Sequence, residues 1–402
     1  MRDPSSWPVF YPNRNVNENL TRATITIMKT TGLSGNEIYC LDKIGYKAGD
    51  IVVGNSVHSL GVVQSIGSGF RAIAGGEITQ FTQLIEEGRA AALARMEQEA
   101  KDRGAIGITG VTSELVFHGG NIEFLSVGSS LHTKGNKGEK EEYAFSTSTD
   151  GQDLYAQEDA NYKPKKFVFG NVAYSIGITG GIIGAFKTLA RGEIREFSDI
   201  FNKTRHLALE RIVAEAKRDG ANAVVGIETT ILPLVGTGLQ EMLMIGTASY
   251  NEALPKDSVV TSDMTQQEMW NLNKMGYAPL KLLLGTSVYS LGLMGGITSF
   301  MKSFVKGEIP ELSKLIYEAR ENALAILNKE ADAIGADEIV GVKTYVYQLG
   351  SGLIEFLAIG TAVKKVDGLK SQSQELIPQA FTTDWDTFVN TAEFNFGVDL
   401  NK

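Results

Sequence analysis

Hydrophobic and polar positions follow the same order three times along the chain. Each copy has an apolar, β-branched stretch that predicts a strand, then a longer stretch with apolar residues three or four positions apart that predicts an amphipathic helix. Two further apolar strands, joined by a glycine-containing hairpin, end each copy. The predicted first strands are 51–59, 167–175 and 282–290, and the predicted long helices are 80–103, 195–219 and 311–334.

The sequence itself repeats with this pattern. GNSVHSLG begins at Gly54, GNVAYSIG at Gly170 and GTSVYSLG at Gly285, which gives spacings of 116 and 115 residues. Each of these segments is followed by Gly-Glu-Ile, then by an arginine, an Ala-Leu pair, a Glu-Ala pair and Gly-Ala. Repetition at a fixed period indicates tandem modules of one structure.

A short helix is predicted at the start of each copy. Ser34-x-x-Glu37 and Thr265-x-x-Glu268 have the form of capping boxes, and Asp150-x-x-Asp153 is a weaker version. The residues expected to end these helices in the left-handed conformation are Gly45, Asn161 and Gly276. With a short apolar helix before the long one, the order in each module becomes α-β-α-α-β-β. The predicted fold class is α+β: three tandem repeats, each a short antiparallel sheet packed with one long and one short helix.

These patterns divide the chain into modules, linkers and ends. The divisions are an N-terminal arm (1–33), module 1 (34–131), a linker (132–149), module 2 (150–250), a linker (251–264), module 3 (265–364) and an acidic, aromatic tail (365–402). The stretch 23–28 alternates like a strand, and it could add to another sheet. The tail is either disordered or a docking segment.

The last strand of module 3 predicts association. From Ile354 to Val363, both alternating sets of residues are small or apolar, apart from Glu355. Such a strand is expected to be buried on both faces. Helices of the same module can cover one face, so the other face and the sheet edges need cover from another module or another chain.

A membrane role is an alternative for part of each module. The windows 51–70, 167–186 and 282–301 each hold 20 residues without a charge, a length that could span a bilayer. A buried strand followed by a core helix explains the same windows, and the polar residues and glycines of the first window favour that interpretation. Association of the apolar helix with a membrane surface stays open.

Composition narrows the function. A net charge of −9 and a pI of about 5.2 argue against binding to nucleic-acid phosphates. One cysteine excludes a disulfide framework and favours a reducing compartment, so we expect a cytoplasmic protein. The first 33 residues contain no basic segment followed by an apolar core of signal-peptide length, so secretion by that route is not expected. The 44 glycines form no phosphate-loop motif, and turns and close backbone packing explain them better.

Recurrence within the chain identifies the candidate site residues. No histidine or cysteine position recurs in all three modules, so neither a metal site, a cofactor nor a catalytic set is predicted. Four charged positions do recur, and they are expected to form ion pairs at interfaces, or alternatively to bind a ligand or serve acid–base chemistry. They are Glu77, Glu193 and Glu308; Arg89, Arg205 and Arg320; Glu99, Glu215 and Glu330; and Glu123, Glu241 and Glu355.

These motifs resemble the YbjQ-like heavy-metal-binding family. The resemblance rests on Gly-Glu-Ile, Arg-x-x-Ala-Leu, Glu-Ala and Gly-Ala in order, with the best match at 335–342 and 359–363. It covers all three modules. It implies an α+β fold and assembly into a homopentameric ring, and the family label implies a heavy metal, although no Cys or His set recurs to hold one.

The sequence therefore predicts a non-enzymatic structural or scaffolding protein. We expect its modules to assemble into a closed homo-oligomer such as a ring, tube or cage. The resemblance implies five-fold symmetry, but three modules do not divide evenly into a five-membered ring, and tandem copies could also pack as a solenoid or a larger ring. A metal-ion-binding protein and a membrane-associated assembly are the alternatives. An enzyme that acts through the recurring Arg and Glu residues is a further possibility.

Overall fold

The fold is α+β and consists of three consecutive modules of the same design. A computed structural model describes residues 30–59, 76–118, 120–175, 192–234, 239–290, 310–350 and 353–376. In each module the first strand pairs with the last strand, which pairs in turn with the strand before it, all antiparallel. One long helix packs on this three-stranded sheet. The predicted fold class is confirmed.

The elements are numbered along the described residues. Module 1 contains α1 (Gly35–Lys43), β1 (Tyr46–Ser59), β2 (Gly76–Glu77), α2 (Thr79–Asp102), β3 (Gly107–His118) and β4 (Asn121–Thr133). The first linker contains β5 (Phe145–Ser146), and module 2 contains α3 (Gly151–Asp159), β6 (Lys163–Ser175), β7 (Gly192–Glu193), α4 (Arg195–Arg218), β8 (Ala223–Leu234) and β9 (Leu239–Tyr250). The second linker contains β10 (Val260–Thr261), and module 3 contains α5 (Gln266–Met275), β11 (Tyr277–Ser290), α6 (Pro310–Ala333), β12 (Glu338–Gly350) and β13 (Leu353–Lys365).

The short first helices begin and end where the sequence predicts. Ser34 and Thr265 each form a complete capping box, and the Asp150 carboxylate accepts from two backbone N–H groups of α3. Each helix is followed by a residue with positive φ: Gly45 at 85°, Asn161 at 65° and Gly276 at 78°. Only glycine and, less often, asparagine adopt this conformation without strain.

The first strands are longer than predicted. β1 begins at Tyr46 rather than at residue 51, because the left-handed Gly45 reverses the chain and Tyr46 can pair with Thr133 at once. A register shift between Ala48 and Ile51 breaks the alternation of side chains in this stretch. The sequence pattern is weak there for that reason. The other two first strands extend in the same way.

The long helix lies directly against the first strand in every module. A Cβ atom added to Gly54 would overlap the carbonyl oxygen of Ala92, and the equivalent Gly170 and Gly285 face Ala208 and Ala323 in the same way. The recurring glycine is therefore needed for close approach of helix and strand backbones.

Several sequence predictions fall outside the described residues. They are the possible strand 23–28, the short apolar helix before each long helix, the second halves of the charge-free windows and residues 377–402. Within the described part of the tail, residues 366–376 fold back on module 2, where the Gln372 N–H donates to the Asp159 carbonyl oxygen and the Ser373 hydroxyl donates to the Asp159 carboxylate. None of the described helices is long and apolar enough to cross a membrane.

The close approach at Gly170 generates a stability prediction. Gly170→Ala forces the α4 backbone away from β6, and we expect it to lower the free energy of unfolding by about 1–3 kcal/mol or more. Gly35→Ala is the matched control, because an added Cβ there meets nothing within 4 Å and the helix N-terminus accepts alanine. Urea unfolding of both variants measures the difference. Equal stability of the two variants would contradict the close approach.

Candidate functional site

The surfaces where successive modules meet are the candidate site. β6 and β11 are buried on both faces along 167–175 and 282–290, whereas residues of β1 alternate between buried and more exposed. β13 is buried from Leu353 to Val363, which confirms the prediction for the last strand of module 3. Its helix α6 covers one face, and module 2 covers the other.

Apolar side chains form the body of both contacts. In the second contact, Leu282, Leu284 and Val288 of module 3 share one cluster with residues of α4 and β8. In the first contact, Phe167 and Phe169 of module 2 pack with residues of α2 and β3. Modules 1 and 2 therefore each present their helix side to the sheet face of the next module.

A buried ion pair lies in the first contact. The Arg89 guanidinium donates from Nε to Glu241 Oε1 at 3.1 Å and from Nη2 to Glu241 Oε2 at 2.8 Å. Both side chains are 0% exposed. Nη1 of Arg89 donates to the carbonyl and hydroxyl oxygens of Ser113. Such a bidentate pair compensates each buried charge and restricts the relative orientation of its two modules.

The second contact repeats this pair with the equivalent residues. Arg205 of α4 donates to both carboxylate oxygens of Glu355 at 2.8 and 2.9 Å, and both side chains are again fully buried. Its guanidinium lies 4.6 Å from the ring centroid of Tyr174. Burial lowers the pKa of Arg205, but the Glu355 carboxylate and Tyr174 raise it by more, so the guanidinium stays charged.

Backbone pairing crosses the same contacts. β2 of module 1 adds to the edge of β6, and β7 of module 2 adds to the edge of β11. These two-residue strands are the Gly-Glu parts of Gly-Glu-Ile, and the following isoleucine N–H donates to the next module in both cases. A helix hydroxyl also recurs here: the N–H of Ala173 donates to Thr82 Oγ1 at 3.0 Å, and that of Val288 donates to Ser198 Oγ at 2.9 Å.

The two linkers also contribute to the module contacts, and sequence reasoning missed this contribution. β5 pairs in parallel with β3, and the Ser146 hydroxyl accepts from the N–H of Phe167. β10 pairs in parallel with β8, and Thr261 accepts from Leu282. Two-residue strands show no periodicity, but the hydroxyl residues at positions 146 and 261 recur at the module spacing and could have indicated them.

The structure brings most of the predicted charges to these contacts. Glu77 Oε1 lies 2.6 Å from Nη2 of Arg211 in module 2. Glu193 accepts a hydrogen bond from Asn322 of module 3. Glu99 and Glu215 instead stay within their modules, where each accepts the N–H of a first-strand residue. Glu308 lies outside the described residues.

Two of the predicted charges lie at opposite ends of the three-module row. Arg320 is exposed on α6, and it has no ion-pair partner within the described part of the chain. Glu123 contacts Asn55 and His118 instead of an arginine. Both hydrogen bonds lower the pKa of Glu123, so this carboxylate is charged at neutral pH.

His206 and Glu330 add a titratable link between modules 2 and 3. His206 Nε2 lies 2.7 Å from Glu330 Oε1, and its Nδ1 lies 2.8 Å from the Asn202 carbonyl oxygen. Burial lowers the pKa of His206, but the hydrogen bonds to Glu330 and Asn202 raise it by more. Burial raises the pKa of Glu330, and its contacts with His206 and Lys281 lower it by more.

The described residues do not fit a heavy-metal site. All four histidines and Cys40 are among them, yet no group of three or more His, Cys, Asp or Glu side chains converges there. His118, His132 and His206 each pair with a different glutamate. A heavy metal needs several such ligands at one point.

The architecture defines a class of tandem α+β proteins whose modules contact one another through sheet, helix and a buried Arg–Glu pair. The chain belongs to the YbjQ family, described as "Putative heavy-metal-binding", whose model matches residues 34–128, 156–252 and 273–366. The recognition made from the sequence is confirmed, including the three tandem copies.

Known relatives are similar over one or two module lengths. An encapsulin nanocompartment protein of Mycobacterium tuberculosis is 31% identical over 209 residues, which cover 50% of this chain and 78% of the relative. A UPF0145 protein of Thermosipho melanesiensis is 37% identical over 99 residues, 24% of this chain and 89% of the relative. A UPF0145 protein of Thermotoga petrophila is 41% identical over 81 residues, 20% of this chain and 76% of the relative.

Breaking the buried ion pair should be costly. Arg89→Met leaves the Glu241 carboxylate buried without its partner, and we expect the free energy of unfolding to fall by about 3–5 kcal/mol. Arg89→Met combined with Glu241→Leu removes both charges and should regain much of that loss. Urea unfolding provides the measurement. A loss below about 1 kcal/mol for Arg89→Met would mean that the pair is not buried as described.

The His206–Glu330 link predicts a pH dependence. The raised pKa of His206 adds stability that is present below its unfolded pKa and is lost as the pH rises through the folded value. The lowered pKa of Glu330 adds stability above its unfolded pKa, so the link contributes most between about pH 4.5 and 6.5. We expect His206→Gln to cost about 1 kcal/mol at pH 5.5 and less at pH 8.5. Thermal unfolding at both pH values checks this, and an equal cost at both would contradict it.

Proposed function

We propose that this chain is a non-enzymatic structural protein that self-assembles through its modules into a closed homo-oligomer, such as a ring, tube or cage. The observation that carries the proposal is the module contact, which occurs twice in the chain with equivalent residues on both sides. A module of this kind has an apolar sheet face that needs cover by another module. Large apolar contacts are typical of permanent assemblies.

The named relatives support an assembly role. One of them is called an encapsulin nanocompartment protein, a name that refers to a compartment. The two UPF0145 relatives match this chain over about one module length, which is 89% and 76% of their own length. Covalent linkage of three modules raises their local concentration and fixes their order. We place the assembly in the cytoplasm, because a chain with one cysteine has no need of an oxidising compartment.

Mass measurement of the purified full-length protein tests this proposal. Size-exclusion chromatography with light scattering at micromolar concentration should give one species whose mass is a multiple of 43.5 kDa. Negative-stain electron microscopy should then show closed particles of uniform size. A monodisperse 43.5 kDa monomer at all concentrations up to about 100 μM would overturn the proposal.

A further inference from the structure

Module 1 presents the sheet face that is covered in the other two modules. Val53 is 44% exposed and Val57 58% exposed on β1, whereas their equivalents in β6 and β11 are nearly or fully buried. Leu125 and Val127 on β4 belong to the same face, and both are only partly buried. We call Ile51, Val53, Val57, Leu125, Val127 and Glu123 the sheet end.

The sheet end is apolar, like the two sheet faces that are buried in the module contacts. Positions 51, 53, 57, 125 and 127 are all apolar, as are the five equivalent positions in each of modules 2 and 3. A terminal repeat that only caps a row against water is expected to place polar residues on its outer face. The sheet end instead has the composition of the two faces that are already covered.

Module 3 presents the opposite surface. Val342 is 44% exposed, although the equivalent Val111 and Ile227 are buried beneath the next module. Val346 is 56% exposed, whereas the equivalent Ile231 of module 2 is partly buried and packs against the apolar cluster between modules 2 and 3. We call Ser313, Ile316, Arg320, Leu324, Val342 and Val346 the helix end.

The charges and hydroxyls at the two ends complement each other. Arg320 corresponds to Arg89 and Arg205, and Glu123 corresponds to Glu241 and Glu355, so each end holds one half of the buried pair. Ser313 corresponds to Thr82 and Ser198, whose hydroxyl oxygens accept from the N–H groups at the positions equivalent to Val57. The ends thus carry complementary halves of the contact that joins modules 1 to 2 and 2 to 3.

We propose that the helix end of one copy packs on the sheet end of a second copy, with Arg320 paired to Glu123 across the junction. The proposal rests on the proposed self-assembly and specifies its partner and polarity. Each copy then joins head to tail, so that the module contact continues from chain to chain. A head-to-tail contact closes into a ring when its rotation allows, and otherwise extends as a filament.

Charge reversal with complementation tests this junction. Arg320→Glu and Glu123→Arg should each weaken the association of full-length protein at least about 30-fold, because each leaves two like charges facing one another in a buried contact. The double variant Arg320→Glu with Glu123→Arg restores opposite charges at every junction, whatever the number of copies in the assembly. We expect the double variant to recover assembly that neither single variant shows, measured by light scattering and electron microscopy.

Two controls have the same change of charge on the same modules. Lys314→Glu lies on α6 and Glu114→Arg on β3, at positions whose equivalents in module 2 (Asp199 and Thr230) stay exposed beside the internal contacts. Both controls should keep the wild-type mass. Circular dichroism and thermal unfolding of all five variants report folding of the monomer, which is expected to be intact because Arg320 is exposed and Glu123 is only partly buried.

The outcomes separate this proposal from the proposed function. A wild-type protein that assembles while both reversals keep its mass would overturn the junction and leave self-assembly standing. A double variant that folds but fails to recover assembly would also overturn the Arg320–Glu123 pairing. A wild-type monomer would overturn both proposals.

Discussion

The uncovered face of a three-stranded apolar sheet is the constraint on which this molecule depends. One long helix covers only one face, and exposing the other face to water costs about 25 cal/mol for each Å² of apolar surface. The chain meets this constraint by placing the helix side of one module on the sheet of the next. Tandem repetition, the polarity of the row and the strand additions at the sheet edges all follow from that arrangement.

Apolar packing alone does not determine how two modules are oriented. The buried Arg–Glu pair restricts that orientation. A bidentate guanidinium–carboxylate contact tolerates little rotation or sliding, and an unpaired charge at its place would be strongly unfavourable. The two internal pairs differ in their surroundings, since Arg89 also donates to Ser113 whereas Arg205 lies against the Tyr174 ring. The recurring element is therefore the charge pair itself, and the neighbouring groups vary around it.

Much of this architecture could be predicted from the sequence because the repeat exposes it. The helix caps, the long helices and the two-sided burial of β13 follow from local patterns at Ser34, Thr265 and Ile354–Val363. The pairing of Arg89 with Glu241 could not be predicted, because Glu241 belongs to a different module. The repeat shows which residues occupy equivalent positions, but it does not show which module contacts which. Hydrophobic periodicity does not reveal β5 and β10, because two residues have no period, and it does not extend β1 to Tyr46, because a register shift hides the alternation there.

The central claim is that one kind of contact joins modules both within a chain and between chains. Electron microscopy of the purified full-length protein, at a resolution that separates the long helices, tests it most directly. The account predicts an unbroken succession of modules in which the step from module 3 of one copy to module 1 of the next equals the two steps inside each chain. Separate three-module particles, or copies joined through any other surface, would contradict it.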